Sequence, residues 1–341
     1  MEQRKRLIPE IECYEEFTTG DIRWLPYVMF FNRTDFTSSA LNTDSAGFRV
    51  THGPAGPASL DALPDGPVNV LLGASPAFGF GSSSDHKTIS SFLSNGPSGT
   101  PWLNFGAPAL NSTQELILFM LHRHELPQPR DVVVFSGLNN LITAGLPNSD
   151  KGYGQFFFSG EFFTQLGVPE MAHPQWGQSA LARVAEKVGL RGKRAEPEPK
   201  TPSVEERIDI AIRNLRRDLD VLRDVVTPTG ARLHFALQPT LPWTGKPYST
   251  EEKLLIEADE KDEERAAMWA LFNAAVDPAV HKEYAGLIEK FCADRDIPFI
   301  DTNKAVAEKV TAEQWIFFDK VHLTDDGNEL VAAIITAELD L

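Results

Sequence analysis

Cysteine is nearly missing from this chain. Only Cys13 and Cys292 occur, far apart and in no C-x-x-C arrangement, which excludes a disulfide framework and a thiolate zinc site and points to a reduced, cytoplasmic setting. Positive charge is scarce as well: 32 Lys and Arg face 48 Asp and Glu, a formal net charge of −16. The broad basic footprint that holds nucleic acid is therefore absent. Long apolar runs are lacking too, since none approaches the ~18 residues that span a bilayer, and no apolar stretch follows the basic residues near the N-terminus. Neither a membrane span nor a classical leader is expected. No His/Asp/Glu cluster at metal-ligand spacing stands out, so no metal is expected, and there is no Walker-type phosphate loop and no internal repeat.

What is present suffices for a large buried core. The chain has 341 residues, 42% apolar and 23% charged, enough for one large or two small domains at about 150 residues each. Short runs rich in Val, Ile, Leu and Phe at 68–72, 102–105, 132–135, 233–237 and 298–300 predict strands buried on both faces, because they are continuous rather than alternating. Helical patterns lie between them, at 88–93, 112–124, 263–273, 279–293 and 327–339. The clearest helix begins at Ser203, where Ser203-Val-Glu-Glu206 forms a capping box; behind it Ile208, Ile212, Leu215, Leu219, Leu222 and Val226 make one apolar stripe. Strands alternating with helices predict an α/β fold of three layers around a parallel sheet, from about residue 66 to the C-terminus.

Residues 1–65 read differently, with strand-like runs at 24–31 and 46–51 among Thr, Ser, Asn and Asp. They predict a β-rich antiparallel flap against a core at 66–341. An insertion around 146–203 interrupts that core. Its first part, 148–176, carries Phe156-Phe-Phe158 and Phe162-Phe163, and reads either as a lid over a pocket, with Trp243 as a further wall, or as packing for the flap. Its charged, Pro-rich part at 191–200 reads as a linker. The acidic run 257–264 is expected to be a solvated helix start.

The strongest chemical signal is Gly73-Ala-Ser75-Pro-Ala-Phe-Gly79-Phe-Gly81, which places Ser75 at the carboxyl end of a buried strand, where parallel sheets bind ligands. Such a serine is either a nucleophile or ordinary turn chemistry. Among eight histidines, His322 is the informative one, in Asp319-Lys-Val-His322. With Asp319 three residues before it, the carboxylate can accept the Nδ1 proton and leave Nε2 to take one from a serine hydroxyl. The alternative is a surface pair at a helix start capped by Thr324 or Asp325. His122 and His124 read as surface residues complementing a helix dipole. Oxyanion donors are available in the backbone amide of Gly106, the side-chain amide of Asn139 and the backbone amide of Ser75; a simple turn and a helix cap are the other readings of Gly106 and Asn139.

Taken in order, Gly73-Ala-Ser75, Asn104-Phe-Gly106, Gly137-Leu-Asn139 and Asp319-Lys-Val-His322 resemble the four blocks of the SGNH (GDSL-type) hydrolases, across about residues 68–338. The resemblance implies a flavodoxin-like sheet of about five parallel strands, Ser75 as nucleophile, Gly106 and Asn139 completing the oxyanion hole, His322 as base and Asp319 as its partner. It implies esterase, lipase, deacetylase or sugar O-acyltransferase chemistry with no metal or organic cofactor. Two positions depart from the pattern: Ala74 stands where the family has Asp, and Asn140 where it has a second Asp. The stretch Asn42-Thr-Asp44-Ser-Ala-Gly47-Phe-Arg49 is similar to the corresponding region of SGNH proteins of polysaccharide and natural-product clusters.

The expected function is a serine-dependent esterase acting on an acyl ester of a small molecule or carbohydrate through an acyl-enzyme. An O-acyltransferase of the same fold, passing the acyl group to a sugar or natural-product hydroxyl, is the near alternative, and a non-catalytic ligand-binding scaffold is the alternative from another class. A nucleotide-binding module fits less well, because Gly79-Phe-Gly81-Ser-Ser-Ser84 lacks the third glycine of G-x-G-x-x-G and begins well past the strand end. Nothing in the sequence signals an oligomeric state.

Overall fold

The structure, a computed structural model, describes residues 2–19, 23–25, 27–152, 154–159, 162 and 201–341. Five strands carry the core: β1 (Val68–Gly73), β2 (Trp102–Gly106), β3 (Pro129–Ser136), β4 (Arg232–Leu237) and β5 (Phe299–Asp301). They pair in parallel throughout, in the order β2-β1-β3-β4-β5, the flavodoxin-like arrangement. All five expected runs are these strands. The chain leaves β1 toward β2 on one side and returns to β3 on the other, so a crevice opens at the carboxyl ends of β1 and β3. Gly73 stands beside both Gly106 and Phe135, so the loops after the first three strands leave the sheet at one edge.

Alternation along the strands builds the three layers. Val68, Val70 and Leu72 face a cluster with Phe119, Leu215, Leu219 and Ile288, while Leu71, Val133 and Phe135 face the opposite one with Ile89, Leu93, Val331 and Ile335. The first cluster takes helices Ser112–His122, Val204–Val226 and Pro278–Ala293, and the second takes Ile89–Ser94 and Asp325–Glu338. Helix Val204–Val226 starts where expected. Glu206 N–H donates to Ser203 Oγ at 3.2 Å and Ser203 N–H to Glu206 Oε2 at 2.8 Å, and all six residues of the apolar stripe are buried.

Residues 1–65 match the expected strands in part, as an antiparallel hairpin over the run at 24–31 but no strand over 46–50. Two helices, Glu2–Leu7 and Ile11–Thr19, come first, followed by the hairpins Arg23–Leu25/Met29–Phe31 and Thr51–Gly53/Gly56–Ala58. Between 46 and 50 only the isolated bridges of Arg49 to Thr43 and Asn104 are formed, because that stretch is taken up by side-chain clamps. Arg49 is fully buried and donates to Asp85 Oδ1 at 2.8 Å, to the Gly79 carbonyl at 2.7 Å and to the Ala40 carbonyl at 2.7 Å, the pairing a buried guanidinium requires. Tyr14 O–H adds bonds to the carbonyls of Gly79 and Ser82 at 3.1 and 2.8 Å.

The acidic run is no solvated helix start. It spans the end of helix Thr250–Lys261 and the start of Glu263–Asn273, and Asp259 within it is buried. Of the insertion, Phe156 to Phe158 and Phe162 are described; Phe163 and the proposed linker at 191–200 lie outside the described residues. Among the described residues no helix is long and apolar enough to cross a membrane, and no group of three or more His, Cys, Asp or Glu is placed to hold a metal ion.

Candidate active site

Ser75 opens a single helical turn, Ser75–Phe78, directly after β1. Pro76 pre-sets the turn, and Gly79 closes it at φ 83°, its N–H returning to the Ser75 and Pro76 carbonyls; that left-handed position suits glycine. Being at the start of a helical turn, the Ser75 N–H has no intrahelical acceptor. Asp319 and His322 sit on a loop closed by a bridge between Phe317 and Leu323. Thr324 caps the following helix by accepting the Gly327 N–H at 3.2 Å, so the capping reading holds beside the other role of this loop.

Residues 247 positions apart meet here: His322 Nε2 lies 2.8 Å from Ser75 Oγ. His322 Nδ1 lies 2.7 Å from Asp319 Oδ2. An ionised carboxylate accepts, so Nδ1 carries the proton and Nε2 is the acceptor for the serine hydroxyl. Asp319 Oδ1 accepts the N–H groups of Val321 and His322, both at 2.8 Å. Burial works to raise the Asp319 carboxyl, yet the facing imidazole, the Arg4 guanidinium and the Val321 amide outweigh it and hold the group at about 2. Arg4 Nη2 stands 3.5 Å from Asp319 Oδ2. The imidazole is flanked by aromatic rings, with Phe318 at 5.5 Å and nearly parallel and Phe80 at 5.0 Å and tilted.

The two other predicted donors part company. Asn139 lines the cavity beside Ser75, and its Nδ2 donates one bond to the Leu110 carbonyl at 2.6 Å, leaving the second N–H of that amide for another acceptor. It does not cap its helix, whose N-cap is Gly137 without any side-chain bond. Gly106 is elsewhere: its N–H donates to Asn104 Oδ1 at 2.9 Å, and a Cβ there would lie 2.2 Å from the Phe78 nitrogen. The glycine serves close packing of β2 against the serine turn. Next to Ser75 the cavity is lined instead by Pro108 and Ala109. Ala109 holds φ 64°, an uncommon setting for a residue with a side chain, and among the described residues its N–H has no acceptor.

Ser75, His322 and Asp319 share the floor of a 640 Å³ cavity with mostly apolar walls from Ile11, Phe157, Phe158, Phe162, Trp269 and Phe272. The insertion thus both walls the cavity and packs inward, Phe158 lying 5.8 Å from Phe30 and Phe157 6.1 Å from Phe272. Trp243 is not part of this wall. Its Nε1 donates to the Ala275 carbonyl at 3.2 Å and its ring stacks on His281 at 4.9 Å. Asn140 fills the place of the expected Asp, with Oδ1 accepting the Ser112 N–H at 3.1 Å and Nδ2 donating to Ser112 Oγ at 2.7 Å. Arg4, Ala109 and Asp259 were not among the candidates read from sequence, and only the charge of Arg4 and Asp259 offered any signal.

No family model matches the sequence, and no curated protein matches it either. Among solved structures the chain is similar to a lipolytic protein of the G-D-S-L family from Veillonella parvula, with 10% identity and a TM-score of 0.43 over 80% of this chain and 97% of that one. It is also similar to a lipase/acylhydrolase from Enterococcus faecalis, with 13% identity and a TM-score of 0.38 over 80% and 95%. A catalytic mutant of an acetylxylan esterase from Geobacillus stearothermophilus is similar at 12% identity and a TM-score of 0.35 over 81% and 94%.

Proposed function

We propose that this chain is a hydrolase of the SGNH (GDSL) type, a serine-dependent esterase that cleaves an acyl ester of a small molecule or sugar. The observation behind the reading is the continuous relay from Ser75 Oγ through the His322 imidazole to Asp319, with steps of 2.8 and 2.7 Å. Ser75 Oγ attacks the acyl carbonyl while His322 Nε2 takes its proton, and Asp319 steadies the imidazolium. The carbonyl electron pair moves onto oxygen, where the Ser75 N–H, the free Asn139 N–H and the Ala109 N–H are the donors in reach of the cavity; Ala109 takes the part expected of Gly106. Collapse expels the alkoxide, which takes the proton from His322, and leaves Ser75 acylated. A water molecule, activated by the same imidazole, then releases the acid.

The apolar wall favours an acyl group of several carbons over acetate, because burial of each methylene contributes about 0.8 kcal/mol. It also supports the second reading, transfer to a hydroxyl acceptor, since an aromatic enclosure lowers competition from water. Mass spectrometry after treatment with an organophosphonate tests the core of the proposal. A single adduct on the Ser75 peptide, absent from Ser75→Ala, is expected; no adduct, or one on another serine, overturns it. Turnover of p-nitrophenyl esters with and without sugar acceptors then separates hydrolysis from transfer.

A further inference from the structure

The N-terminal helix Glu2–Leu7 brings a cation behind the proposed triad. Arg4 is only 5% exposed. Its Nη1 donates to Asp259 Oδ1 and Oδ2 at 3.0 and 3.3 Å, its Nη2 stands 3.5 Å from Asp319 Oδ2, and the guanidinium lies 5.3 Å over the Phe318 ring. Asp259 has further partners of its own, Trp269 Nε1 at 3.1 Å and Arg265 at 3.4 Å. Asp319 has no second cation of that kind: among the described residues, Arg4 is the only Lys or Arg within ion-pairing distance of it. Two buried carboxylates this close repel unless a cation lies between them, and Arg4 occupies that position. Since Trp269 lines the cavity, the contacts run unbroken from the substrate wall through Asp259 and Arg4 to Asp319.

We infer that Arg4 is a positioning residue of the active site: its guanidinium fixes the Asp319 carboxylate for His322 and ties the triad to the wall of the acyl cavity. This rests on the esterase reading above. Arg4 balances the negative charge of Asp319 and so helps keep that carboxylate ionised and in place against His322 Nδ1. Arg265 stands beyond Asp259, and Glu15 and Asp262 face the same cavity, with Glu15 3.8 Å from Arg265. Loss of Arg4 leaves Asp319 with no Lys or Arg partner among the described residues, while Asp259 keeps Arg265.

The plateau rate of organophosphonate inactivation, followed from pH 5 to 9, reads this effect without a known substrate. For Arg4→Met that plateau is expected to fall about tenfold, as Asp319 loses both charge balance and orientation. Arg4→Lys restores most of the plateau. The double variant Arg4→Met/Asp259→Asn also removes the second buried carboxylate, which lessens the negative charge left unbalanced beside Asp319, and is expected to retain the lowered plateau. A folded Arg4→Met or double variant with the wild-type plateau overturns this inference while the esterase reading stands. Absence of any Ser75 adduct in the wild-type chain overturns the esterase reading and this inference with it.

Discussion

The backbone N–H of Gly106 donates to Oδ1 of Asn104, two residues earlier in the same strand, whereas the N–H of Ala109, three positions on, meets no acceptor among the described residues. Asn104 Nδ2 bonds on to the Ala77 carbonyl at 3.0 Å and to Ser90 Oγ at 2.9 Å, so the amide of Gly106 belongs to a clamp that holds the serine turn against β2.

Ala109 therefore provides the first prediction. At φ 64° an alanine costs roughly 1–2 kcal/mol that a glycine avoids, against about 0.4–1 kcal/mol of extra unfolded-state entropy for glycine. Ala109→Gly should leave stability equal or slightly higher in a urea titration and turnover within about threefold of wild type, since the donor is backbone. Ala109→Val, β-branched where φ is positive, should lose roughly tenfold or more in kcat. Equal activity in the valine variant would place the donor elsewhere.

Neighbouring asparagines should behave differently. Asn139→Ala is expected to cost roughly 10²–10³ in kcat with KM little changed, as for the loss of one oxyanion donor. Asn140→Ala should instead cost about 1–3 kcal/mol of stability, because the buried Ser112 N–H loses its acceptor. Chemical denaturation and p-nitrophenyl ester kinetics on both variants separate the two roles, and a reversal of the pattern would refute the assignment.

Acyl length is the third test. If the chain of the substrate lies against Phe157, Trp269 and Phe272, kcat/KM should rise roughly fourfold per added methylene from acetate toward octanoate. Phe157→Ala should flatten that rise while leaving acetate turnover nearly unchanged. A preference for acetate in the wild-type enzyme would show that the apolar cavity does not hold the acyl group.

A fourth prediction concerns Glu115, which is buried and accepts the Ser136 hydroxyl at 2.6 Å just before the Asn139 loop. Burial pushes its carboxyl up to about 8, opposed by the Ser136 bond and reinforced by Asp218. The unfolded chain ionises this group near its ordinary value of 4.5, while the folded chain keeps the proton. Its contribution is thus fully present below about 4.5 and is lost as pH rises through 8. Glu115→Gln should flatten the decline in unfolding free energy between pH 5 and 8, by on the order of a few kcal/mol. Parallel pH curves for the two proteins would mean that Glu115 stays ionised inside the fold.

Local chemistry was what the sequence made legible. The five strands announced themselves as continuous apolar runs, Ser203 and Glu206 as a capping box, and Asp319 and His322 as a pair whose spacing alone lets them meet. Ser75 was marked by its strand and glycines. The helix Glu2–Leu7 was hidden because Glu-Gln-Arg-Lys-Arg-Leu has no apolar stripe, and Arg4 is buried by carboxylates 255 and 315 positions away. Asp259 was masked by the acidic residues around it. Gly106 misled for a physical reason: a glycine at a strand end suggests an open amide, but here it makes room for Phe78, whereas the left-handed residue is an alanine that carries no such signal.

Arg49 and Tyr14 reach from the first 50 residues to the carbonyls that close the serine turn. Cutting the chain ahead of residue 66 would thus strip Ser75 of its scaffolding and uncover Phe78, so the leading segment cannot be exchanged or trimmed as an appendage: whatever specificity its helices confer travels with the serine turn they hold.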